Sequence, residues 1–181
     1  MKILVFSDIH GCFSSLEKIL SIFNNEHFDK MIIAGDYNNH GPRNGVPQNY
    51  DPKKVTEMLN SYADKIICVR GNCDSEVDQM ILNFPMLNES AQVFFDTMRI
   101  FVHHGHLSQY NQENLTRLIP ASTNTCKTLV ISGHTHIPVL EENNGITFLN
   151  PGSITFPKGG SVASYAQIDT ETNKIELKEL K

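Results

Sequence analysis

The sequence predicts an α/β layered sandwich in which helices flank mixed sheets. Three observations carry this. The first half alternates short apolar runs with helical apolar stripes. The second half is a succession of short strand candidates. Nothing between them reads as a linker, internal repeat or low-complexity tract. With 181 residues, 40% of them apolar and 19% charged, the chain falls in the globular range. It has the size of one domain spanning residues 1–181. Such a domain buries roughly 70% of its unfolded surface and needs no disulfide or metal to fold.

Residues 3–6 are an apolar run, as expected of a strand covered on both faces. Leu16, Ile19, Leu20 and Phe23 then recur at helical spacing. Residues 31–34 give a second strand. Asp51-Pro52 starts a helix, with Asp as cap and Pro in the first turn, and Val55, Met58, Leu59 and Tyr62 form its stripe. Residues 66–69 are a third strand, and Val77, Met80, Ile81 and Phe84 predict a third helix stopped at Pro85. Strands follow at 92–95, 100–103, 128–132, 139–142, 146–150, 164–169 and 174–177, with a modest helix at 111–118. Asn143-Asn144-Gly145 is a hairpin turn. The one long irregular stretch, 37–50, is of a length that often serves function.

The net charge of −5 gives no general pull toward polyanions, so general nucleic-acid binding and anionic-membrane binding are not expected. No stretch reaches the roughly 18 apolar residues of a membrane span. The N-terminus runs straight into a strand rather than a signal peptide. The four cysteines, Cys12, Cys68, Cys73 and Cys126, form no CxxC pair and read as reduced thiols of a cytoplasmic protein.

Five polar motifs follow predicted strands: Asp8-Ile9-His10, Gly35-Asp36, Gly71-Asn72-Cys73-Asp74, His103-His104-Gly105-His106 and Gly133-His134-Thr135-His136. Singly, each is ordinary turn chemistry. Together, ligand-type residues at five strand ends point to one site, because strand ends are where open α/β sheets bind ligands. Asp8-x-His10 and His134-x-His136 can face one point only if the chain turns at the strand tip, which Gly11 and Gly133 are expected to permit. Asp, Asn and His suit Mn, Fe, Co or Zn, and the absence of Cys pairs argues against a structural zinc. Asp36, alone after Gly35, is the best candidate for a carboxylate bridging two ions. Asp74, Glu76 and Asp78 read as helix N-terminal charges favoured by the dipole, and His27 as a solvated residue at a helix end. It is the one histidine of eight expected far from the site.

This series of motifs resembles the calcineurin-like metallophosphoesterase superfamily. The strings Asn39-His40-Gly41-Pro42-Arg43-Asn44, Arg70 to Met80 and Asn150-Pro151-Gly152-Ser153 are similar to those of bacterial YfcE-type phosphodiesterases. The resemblance covers essentially the whole chain. It implies a four-layer α-β-β-α sandwich of two mixed sheets with two divalent ions between them. Manganese is the first expectation, with Zn, Fe, Co, Ni or Mg as alternatives. It implies Asp8, His10, Asp36 and His136 on one ion and Asp36, Asn72, His104 and His134 on the other. A hydroxide between the ions is the expected nucleophile. The two carboxylates set against two divalent ions and that hydroxide leave a single positive charge, which matches a phosphodiester.

Two departures stand out. Many superfamily members have His after the Gly-Asn pair, as donor to the leaving oxygen. Here Cys73 takes that place, a weak donor expected to lose its proton near neutral pH, so His106 or solvent becomes the candidate acid. The Arg of the GDxxDRG pattern is also missing, which leaves His40, and secondarily Arg43, to hold a phosphoryl oxygen. The expected activity is hydrolysis of small phosphodiesters. A phosphomonoesterase or nucleotide pyrophosphatase at the same site is the near alternative, and a non-catalytic protein-binding scaffold the distant one. A homodimer or homotetramer is compatible with the resemblance.

Overall fold

The computed structural model describes residues 1–181. In chain order the elements are β1 (Lys2–Phe6), α1 (Phe13–Asn25), β2 (Lys30–Ile33), α2 (Pro52–Asn60), β3 (Ile66–Cys68), α3 (Glu76–Ile81), β4 (Ser90–Phe95) and β5 (Met98–His103). Then follow α4 (Gln112–Leu118), β6 (Lys127–Ile131), β7 (Val139–Asn143), β8 (Ile146–Asn150), β9 (Ser164–Asp169) and β10 (Lys174–Glu179). One sheet has the order β10-β9-β1-β2-β3 and the other β4-β5-β6-β8-β7. In the first, β1, β2 and β3 run parallel and β9 and β10 antiparallel. In the second, β5, β6 and β8 run parallel between antiparallel edges.

Alternation along β1 explains the layering. Ile3 and Val5 point between the sheets, where they meet Ile100, Val102, Leu129 and Ile131. Leu4 and Phe6 point outward into Leu16, Ile19, Val55 and Leu59 of α1 and α2. On the far side Leu115 of α4 closes a small cluster over Val130 and Ile146. The result is two sheets face to face with a helix layer outside each.

The predicted elements recur with small shifts in their ends. Asp51 caps α2 by accepting the Lys54 N–H at 3.0 Å. In the β7–β8 turn, Asn144 and Gly145 both have positive φ. One stripe does not behave as predicted: α3 is only six residues long, and Val77, Met80 and Ile81 are 66%, 82% and 47% exposed. A polar anchor overrides the apolar periodicity. Asp78 turns inward, closing a capping box with Ser75 and accepting from Asn38 Nδ2 at 3.0 Å. That turns Met80 outward, and the core contact is made beyond the helix by Leu82, Phe84 and Met86.

Candidate metal centre

The polar motifs lie at the C-terminal ends of the parallel strands β1, β2, β3, β5 and β6. The turn that brings alternate residues to one point is made by the polar residues themselves. Asp8, His10, Asp36, His134 and His136 have φ of 58°, 49°, 59°, 67° and 62°. Gly11 shares this conformation, at 73°, but Gly133 does not. Its place is set by space, since a Cβ there would run into Ser7 and Asp8. Gly71 is likewise required because a Cβ would meet the Asp36 carboxylate.

Three histidines are oriented the same way. The Nδ1–H groups of His10, His136 and His104 donate to the carbonyls of Asn39 (2.8 Å), Phe156 (2.7 Å) and Ala34 (2.6 Å). A carbonyl only accepts, so each Nδ1 carries a proton and Nε2 is the atom each ring turns into the site. His10 Nε2 and His136 Nε2 stand 3.3 Å apart. Asp36 Oδ2 lies 3.7 Å from His10 Nε2 and 3.4 Å from His104 Nε2. Asn72 Oδ1 is 3.2 Å from His104 Nε2 and 2.6 Å from His134 Nδ1. His136 Nε2 is 3.2 Å from Asp8 Oδ1, yet that buried oxygen has no hydrogen-bond partner.

Nitrogen and oxygen atoms gathered this closely repel unless metal ions or shared protons sit among them. Asp8, His10 and His136 make one such group, and Asp8, Asp36 and His104 another. The residues therefore fit divalent ions with N and O ligands. Charge reflects the same demand. Burial opposes ionisation of Asp8 and Asp36, but the surrounding imidazoles hold both carboxyls below the usual range. Burial would lower His104, but Asp36 and Asp8 push it up to about 9. A histidine with a raised folded pKa contributes stability that is complete below its unfolded value of 6.5 and lost as pH rises through about 9. The chelated protein is therefore expected to melt at progressively lower temperature over that interval, and added Mn²⁺ to restore most of the loss. Calorimetric melts with and without chelator check this; a flat chelated curve would contradict it.

Other residues brace these tips. Asp74 is a hub rather than a helix-end charge: it accepts from the N–H groups of Asp36 (2.9 Å), Tyr37 (2.8 Å) and Gly71 (2.6 Å). Burial first, then the Asp36 charge, pushes its carboxyl up to about 7. Ser153 Oγ donates to Asp8 O at 2.8 Å, and Asn150 Nδ2 to Gly133 O at 2.7 Å, so the Asn150-Pro151-Gly152-Ser153 string fastens the first and last motifs. Burial, with Asp36 beside it, pushes the Cys73 thiol up to about 12, which corrects the expectation of a thiol ionising near neutrality.

His106 lies tilted beside His104 with ring centroids 5.3 Å apart, and its buried Nδ1 has no partner. His40 packs edge-on against Tyr50 at 5.5 Å, and its Nδ1 donates to Gly41 O. The cleft is instead walled by Arg43, Asn44, Cys73 and Lys158 together with His10, Asp36, Asn72, His134 and His136. Sequence reasoning missed Lys158, Asp74 and Ser153. His103, expected near the site, points to the opposite face of its sheet, against Tyr110.

A sequence profile of the calcineurin-like phosphoesterase superfamily domain matches residues 1–173. The chain belongs to this superfamily. A superfamily relative from Escherichia coli, named phosphodiesterase YfcE, is 45% identical over 97% of this chain and 91% of its own length. A solved structure of the E. coli YfcE phosphoesterase superposes with a TM-score of 0.85 at 40% identity, over 100% of both chains. Phosphodiesterase MJ0936 of Methanocaldococcus jannaschii is 28% identical over 99% of this chain and 98% of its own. Vps29 from Entamoeba histolytica shares the fold, with a TM-score of 0.64 at 21% identity over 100% of both chains. No helix of this superfamily member is long and apolar enough to cross a membrane.

Proposed function

We propose that this phosphoesterase hydrolyses small phosphodiesters with two divalent cations, manganese first among them. The observation that carries the reading is the position of Asp36 Oδ2 between the His10 and His104 imidazoles, where one carboxylate can serve two ions. Asp8, His10, Asp36 and His136 would hold one ion, and Asp36, Asn72, His104 and His134 the other. Bound there, the pair would supply Lewis acidity, lowering the pKa of a water toward 7 and clamping phosphoryl oxygens. The buried carboxylates and Nδ1-tethered imidazoles keep the ligand atoms aimed before any substrate arrives. The names of YfcE and MJ0936 support the diester class.

Activity on bis(4-nitrophenyl) phosphate and 4-nitrophenyl phosphate, with Mn²⁺, Mg²⁺ and Zn²⁺ in parallel, tests the proposal. The diester is expected to be turned over at least about tenfold faster, and chelation to abolish turnover. Preference for the monoester would move the assignment to a phosphomonoesterase. A chain that stays metal-free in excess Mn²⁺ at neutral pH would leave only the scaffold.

Protonation of the leaving oxygen is the weak point of this site. Cys73 is a poor donor, and His106 has its pKa lowered by burial first and then by the His104 charge. Rates should therefore depend steeply on leaving-group acidity, with aryl diesters far ahead of alkyl ones. Cys73→His is expected to flatten the dependence, because an imidazole is a better acid near pH 7. Equal slopes of log rate against leaving-group pKa in the two proteins would reject this.

A further inference from the structure

Two segments that wall the cleft are tied to the His10 and His136 tips. One is the turn Gly41-Pro42-Arg43-Asn44, closed by Asn44 N–H to Gly41 O at 3.2 Å and Asn44 Nδ2 to His40 O at 2.9 Å. The other carries Lys158, whose backbone N–H donates to His136 O at 3.1 Å. Each is fastened to one of the facing imidazoles, through Asn39 O for His10 and Phe156 O for His136. The geometry of the ligands therefore fixes where both segments start.

Arg43 and Lys158 both line the cleft, and Asp36 is the sole acidic residue on its wall. Neither side chain makes an ion pair; every salt bridge in the molecule lies elsewhere. They do nothing visible for the fold. On the His104 and His106 side the neighbouring guanidinium, Arg70, is already engaged: its Nε donates to Asp74 O at 3.2 Å, and Glu76 lies 3.5 Å from its Nη1. The unpaired positive charge on the cleft wall is thus that of Arg43 and Lys158.

We propose that the substrate is a phosphodiester carrying a further anionic group, a carboxylate or a second phosphate, on the arm that reaches Arg43 and Lys158. The proposal rests on the diester reading above and narrows it. The ligand set and its ions leave charge enough for a simple diester, and two unpaired cations at the rim accommodate more negative charge than a simple diester brings. Two exposed ion pairs formed on binding would together favour the anionic arm by about tenfold.

Three 4-nitrophenyl phosphodiesters serve as probes, with glycerol, glyceric acid or glycerol 3-phosphate as the second alcohol. With the Mn²⁺-loaded enzyme, kcat/KM is expected to be about tenfold higher for the two charged arms than for glycerol. The difference should reside in KM and shrink at high salt. In the double variant Arg43→Gln, Lys158→Gln the ratio should fall to about one. Both side chains are exposed and unpaired, and circular dichroism and metal content verify that the variant is intact. A wild-type ratio within twofold of one would overturn the proposal while leaving the diester reading in place. So would a tenfold ratio that persists in the double variant. If none of the three probes is turned over, the diester reading itself fails.

Discussion

On the two-ion reading, Asp36→Asn is expected to reduce turnover to background and to lower bound metal from two ions toward one or none. Removing Asn72 should be milder for metal content, because a neutral amide serves one ion whereas the Asp36 carboxylate lies between both histidine groups. The substitution is clean. Asn tolerates a φ of 59° as well as Asp does, and Oδ1, which accepts the Cys73 N–H at 2.8 Å, can be kept by the amide oxygen. What changes is the charge and the second oxygen. Elemental analysis together with diester kinetics decides it. Two ions still bound with turnover near wild type would remove Asp36 from the centre.

Asp74→Asn should cost stability out of proportion to the size of the change. The two carboxylate oxygens of Asp74 take three backbone N–H groups, one on each side of Asp36 among them. An amide has a single acceptor oxygen and would turn its own N–H₂ toward at least one of those donors. An unsatisfied buried donor costs about 1–3 kcal/mol, against which relief of the buried charge is a partial offset. The expected net is about 2 kcal/mol, read as a lower urea midpoint at unchanged slope. Metal affinity should weaken by about 10–100-fold, as for loss of a residue that orients ligands. An unchanged midpoint with unchanged affinity would mean the hub is dispensable.

These two aspartates were not equally visible in the sequence. Asp36 follows an apolar strand and a Gly, so strand, turn and ligand type coincide within a few residues, and the same coincidence marked Asp8, His10, His104, His134 and His136. Asp74 lies two residues beyond Asn72 and just before a helix, where an acidic residue has an ordinary explanation in the dipole. Its partners, Tyr37 and Asp36, are almost forty positions away. Lys158 follows no strand and is placed by a bond to His136 O, which no local pattern encodes. The α3 stripe misled for a different reason. Periodicity reports which residues could share a face, but Asp78 decided which face turned inward. Local regularities were legible, whereas long-range backbone pairings were not.

Five of the seven proposed ligand residues hold a left-handed backbone, with φ between 49° and 67°. Asp, Asn and His bear this better than most residues, but it still costs on the order of 1 kcal/mol at each position. Glycine would bear it freely. Replacing Asp8 or His134 by glycine would thus relax the backbone while removing the atoms it turns into the site. At Asp8 the relief is offset by loss of the acceptor for the His134 N–H, Asp8 Oδ2 at 3.1 Å. Backbone conformation alone gives no reason for these side chains; what they share is ligand-type atoms turned toward one point.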